Sequence, residues 1–120
     1  MNESYSGGNK TEAVEETSAR FNKIIAEAKG IADTIKRSVF YQEAALSLMG
    51  DHLTAEAIKM AHLAGLESTV AGHQAAKSIV ESRETEGGLL ALRDNVKESA
   101  PNTTQATLLK MVDKKLEEFK

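Results

Sequence analysis

From Thr11 onward, apolar positions return every seven residues: Val14, Phe21, Ala28 and Ile35 form one row, and Thr17, Ile24, Ile31 and Ser38 form the next. Seven residues are close to two turns of α-helix, so each row stays on one side of a helix; in a strand, the same spacing would alternate between faces. Ile25, Ala32 and Val39 add a flanking row. The stripe is therefore wider than the seam of a two-stranded coiled coil and suits a bundle in which one helix meets several neighbours. The polar side carries Glu16 with Arg20 and Asp33 with Arg37, at the i, i+4 spacing that supports an exposed helix by roughly 0.3 kcal/mol per pair. The pattern predicts one helix from Thr11 to Leu48 or Met49, about 55 Å long at ~1.5 Å per residue.

Gly50-Asp51 is the clearest punctuation. Glycine accepts the left-handed conformation that closes a helix, and aspartate can cap the next one, so a reversal is expected there. A second helix then runs from about His52 to Arg83, and the short connection makes the two helices an antiparallel hairpin. Its face is rich in Ala57, Ala61, Ala64, Ala71, Ala75 and Ala76, with Leu53, Met60, Leu66, Val70 and Ile79. Small side chains allow close backbone approach. Gly65 and Gly72 lie inside this segment, at about 1 kcal/mol each relative to Ala; they mark either a close helix crossing or a weak, slightly bent spot.

Glu86-Gly87-Gly88 ends the segment. Leu89, Leu92 and Val96 predict a short third helix stopped by Ala100-Pro101, because the residue before proline is pushed out of the α region. Asn102, Thr103 and Thr104 offer caps for a last helix carrying Leu108, Leu109, Val112, Leu116 and Phe119. The expected architecture is all-α: a polar, disordered N-terminus over residues 1–10, then one helical domain over 11–120. That domain comprises a long antiparallel hairpin (11–86) and two shorter C-terminal helices (88–120), resembling a four-helix bundle alone or as a dimer. The last two helices could fold back on the hairpin or serve a partner. Only 4% of the 120 residues are aromatic and none is Trp, so the core must be built from aliphatic side chains in close helix packing.

The net charge of −3 is small, and Lys and Arg are interspersed with acids, so no footprint for nucleic acid or anionic lipid follows. There is no Cys, which removes disulfides, thiolate nucleophiles and the common structural zinc sites. The start of the chain is polar, and no run approaches about 18 consecutive apolar residues. A cytoplasmic protein without a membrane span is expected, with non-classical secretion still open.

Three histidines are the only candidates for chemistry near neutral pH. On one helix His62 and His73 share a face but lie about 16 Å apart, too far to share an ion. His52 and Glu56 are one turn apart and supply two ligands where a metal site needs more. No phosphate-cradling loop and no nucleophile with base and orienting acid is recognisable, so no cofactor, no metal, no small-molecule substrate and no enzymatic activity are expected. Thr103, Thr104, Gln105, Thr107 and Lys110 could touch nucleic acid, but Asp113, Glu117 and Glu118 share their helix; a helical nucleic-acid-associated regulator is an alternative of lower standing.

The favoured expectation is a protein-protein interaction or assembly module acting through an apolar helix face, with itself as a homodimer or with another helical protein. The residues expected to carry it are Phe21, Ile24, Ile25, Ile31, Ile35, Val39 and Phe40, with Leu63, Leu66 and Val70 opposite; the same residues could instead be intramolecular core. Two long helices joined by a glycine-containing turn near mid-chain, in a chain without Cys, also resemble the small hairpin proteins of the WXG100/ESAT-6 type. Leu48-Met49-Gly50 stands where that family has Trp-x-Gly, and no C-terminal Tyr-x-x-x-Asp/Glu motif is present. The resemblance covers Thr11 to Arg83 and implies a small helical secretion substrate or effector partner.

Overall fold

Helices follow one another along the chain with short breaks between them: α1 (Asn2–Lys29), α2 (Thr34–Gly50), α3 (Thr54–Glu67), α4 (Thr69–Glu81), α5 (Glu86–Glu98) and α6 (Thr103–Leu116), closed by a 3-10 turn at Glu117–Phe119. This computed structural model describes the backbone of residues 2–120 and the side chains from Glu16 on; the Val14 side chain lies outside that set. Among the described residues there is no strand, and no helix is long and apolar enough to cross a membrane. The chain divides into two compact units, one ending at Gly30 and the other spanning Ile31–Lys120.

The rod expected from Thr11 to Leu48 is broken at residues 30–33. The Gly30 N–H donates to Glu27 O at 3.1 Å, ending α1. Asp33 then adopts an extended backbone and its carboxylate accepts from Lys36 N at 2.9 Å, starting α2. An Asx cap satisfies one of the free N–H groups that any new helix presents, and here that local bond wins over continuation of the stripe. Asp33 is thus a cap rather than the exposed i, i+4 partner of Arg37.

The turn after α2 lies where expected but is made differently. Gly50 is the last helical residue, and no glycine has a positive φ. The left-handed position falls two residues later on His52, with φ 62°. His52 N–H donates to Met49 O at 3.0 Å and Leu53 N–H to Leu48 O at 2.9 Å, the paired bonds of a Schellman motif with histidine at its usual glycine position. The N-cap of α3 is Leu53, which makes no side-chain cap bond, and not Asp51. His52→Gly relieves the left-handed strain and is expected to stabilise the protein by about 0.5–1 kcal/mol, after the larger unfolded-state entropy of glycine is subtracted. Urea titration of the two proteins checks this, and a less stable H52G variant would contradict it.

The expected helix from His52 to Arg83 is also two helices. Ser68, extended at φ −155° and ψ 122°, is at once the C-cap of α3 and the N-cap of α4, its hydroxyl accepting from Ala71 N at 3.4 Å. This one-residue elbow folds Gly65 onto Gly72: a Cβ on Gly72 would lie 2.4 Å from Gly65 Cα and 2.9 Å from its N. Of the two readings of these glycines, the close crossing is the one observed, and the helices that cross are the two halves of the expected one.

Within the second unit, α2 packs most extensively on α3, with α4 against both. α6 packs on α3 and α4, and α5 on α3 and α6, so the last two helices fold back on the rest as a helical bundle. Their apolar sides, Leu89, Leu92, Val96, Leu108, Val112 and Leu116, are buried with Leu48, Met60 and Ile79. Backbone ends are tied across helices: Lys115 Nζ donates to Arg83 O at 2.8 Å beyond the end of α4, and Gln105 Nε2 donates to Val96 O and Ser99 O, each at 3.1 Å, at the end of α5. Such bonds add side-chain donors to carbonyls at and just beyond the helix ends.

Candidate interaction face

The outer edge of α2 carries Ile35, Val39, Gln42 and Leu46. Steps of four, three and four residues put these on one narrow line along the helix, the spacing of a two-stranded seam. Its apolar members are exposed: Ile35 by 72%, Val39 by 42% and Leu46 by 40%. The helix's other side supplies buried Ser38, Tyr41, Ala45, Leu48 and Met49 to the core, so the seam is a second apolar line beside one already covered.

Arg37 anchors this helix. Its Nε and Nη2 donate to Glu67 Oε2 at 2.9 and 2.7 Å, and Nη1 donates to Ile31 O at 2.8 Å. The carboxylate bonds, the largest influence, hold the guanidinium pKa above its ordinary value. One side chain thereby ties the break before α2 to the end of α3 and orients the first turn of the seam.

The expected interface residues divide into distinct environments. Phe21, Ile24 and Ile25 are half-buried on α1, and Ile31 is half-buried in the break. Phe40 is half-buried, its ring 6.4 Å from that of buried Tyr41, and Leu63 is half-buried on α3. Ile35, Val39, Leu66 and Val70 are exposed. Only Ile35 and Val39 fall on the α2 seam; Leu66 and Val70 flank the elbow on α3 and α4. Leu46 completes the seam and went unnoticed in the sequence, although counting eleven residues on from Ile35 would have found it.

A second feature is a groove of about 310 Å³ where the start of α6 meets the elbow, lined by His62, Leu66, Thr69, Gly72, His73 and Thr104 among others. His62 of α3 and His73 of α4, on either side of the break at Ser68, both line this groove. His62 Nδ1 lies 3.1 Å from Thr104 Oγ1. The side chains that line the groove are otherwise neutral, with Thr69, Thr103 and Thr107 beside the two histidines. Among the described residues, no three His, Cys, Asp or Glu side chains come together to hold a metal ion.

No protein family, curated protein or solved structure matches this chain.

Proposed function

We propose that this chain is a non-enzymatic helical assembly module whose contact surface is the outer edge of α2. The observation that carries this reading is the line Ile35, Val39, Gln42 and Leu46, spaced as a helix-pairing seam and left open to solvent at its three apolar positions. Helix-in-groove and helix-on-helix recognition use such anchors, and the Arg37–Glu67 bond holds them on a rigid element. The alternative of a WXG100/ESAT-6-like secretion substrate or effector partner draws less support, because the two long helices behind that resemblance are broken at residues 30–33 and at Ser68. The nucleic-acid alternative draws less support, because Gln105 and Thr104 are engaged with α5 carbonyls and with His62.

Core and interface roles separate on substitution. Ile35→Asp and Val39→Asp are expected to leave the melting temperature within about 3 °C, since exposed positions contribute within roughly 0.5 kcal/mol, while removing assembly through α2. Differential scanning calorimetry reads the first effect and light scattering coupled to size exclusion the second. A fall of about 10 °C or more would make these residues part of the core and end this reading.

A further inference from the structure

We infer that the occupant of the α2 seam is the same seam of a second copy, the two α2 helices running antiparallel about a two-fold axis. The inference rests on the assembly reading above and adds the partner and its geometry. In an antiparallel pair the line folds onto itself, Ile35 of each copy opposite Leu46 of the other and Val39 opposite Gln42, so that each polar position meets an apolar one near the centre and large aliphatics close both ends. Charge complementarity selects this direction. Lys36 and Glu43 stand seven residues apart on the one exposed flank of the seam. Antiparallel pairing sets that flank against itself, and Lys36 of each copy then meets Glu43 of the other, giving two symmetry-related opposite-charge pairs. Parallel pairing would instead set it against the other flank, where Ser38 and Ala45 are buried in the chain's own core and offer no charge.

The seam is short. Seventeen residues of α2 give about 25 Å of helix, and a pairing of that length buries less than the ~1,200 Å² typical of stable interfaces, so the dimer is reversible. Reversing charges tests it by sedimentation equilibrium. Lys36→Glu sets Glu against Glu in both pairs and Glu43→Lys sets Lys against Lys, so each single variant is expected to self-associate about tenfold more weakly at low salt. An equimolar mixture of the two restores both pairs and is expected to associate at least as tightly as the unsubstituted protein, as is the double variant. Singles that associate normally, or a mixture no tighter than its components, would overturn the antiparallel geometry; if Ile35→Asp still dissociates the protein, the α2 face survives that failure. An unsubstituted protein still monomeric at about 1 mM would overturn the second copy as occupant. The melting behaviour of Ile35→Asp judges the assembly reading independently.

Discussion

Gly72→Ala is expected to lower stability by about 2–3 kcal/mol, roughly 10 °C in melting temperature, while Gly65→Ala leaves it unchanged or raises it by up to about 1 kcal/mol. Both substitutions put the same methyl group into a helix and both gain the same propensity. They differ in what the methyl meets. At Gly72 it would lie 2.4 Å from Gly65 Cα and 2.9 Å from Gly65 N, backbone atoms that cannot turn aside as a side chain could. The elbow at Ser68 must open, and with it the packing of α3 on α4. At Gly65 the new Cβ would lie 3.6 Å from Gly72 Cα, an ordinary van der Waals separation. Thermal unfolding of the two variants side by side gives the ranking, and equal losses, or the reverse order, would contradict the crossing.

Leu48→Ala should cost about 2–5 kcal/mol, whereas Leu66→Ala should cost about 0.5 kcal/mol or less. Leu48 is 1% exposed at the end of α2, where α2, α3 and their connecting turn converge, and its removal leaves a cavity as well as losing the transfer free energy of the side chain. Leu66 is 69% exposed, so most of its surface is already in water. Chemical denaturation with both variants measures the contrast. A comparable loss at Leu66 would mean that the second unit continues its core past the elbow.

Much of the fold was legible locally. The helical class follows from the seven-residue return of Phe21, Ala28 and Ile35, and the end of α5 follows from Ala100-Pro101. Asn102 caps α6 as its residue type suggests, accepting from Gln105 N at 2.9 Å. The turn after Leu48 was readable in place but not in mechanism, because Gly50 invites the left-handed conformation that His52 in fact adopts. Both long helices were overextended for one reason: Ile31 and Ile35, and likewise Leu66 and Val70, continue an apolar pattern across a break. Asp33 and Ser68 carried the cap signals, and periodicity outweighed them in the reading.

The site was legible only in part. Ile35 and Val39 stand out in the sequence as stripe residues, yet nothing in their spacing distinguishes them from Ile24 or Leu63, which are half-buried. Exposure depends on which neighbouring helix arrives and from what angle. The groove at the elbow was not legible at all, since its lining draws on α3, α4 and the start of α6, and the apolar pattern continues across the break between the first two.

By itself, then, the sequence determined an all-helical chain with an aliphatic core and the approximate ends of its last two helices, because period, caps and proline act within a turn or two. Tertiary structure decided that α5 and α6 fold back on α3 and α4, and that the α2 line stays open. Those outcomes turn on contacts between residues distant along the chain, which no local preference specifies.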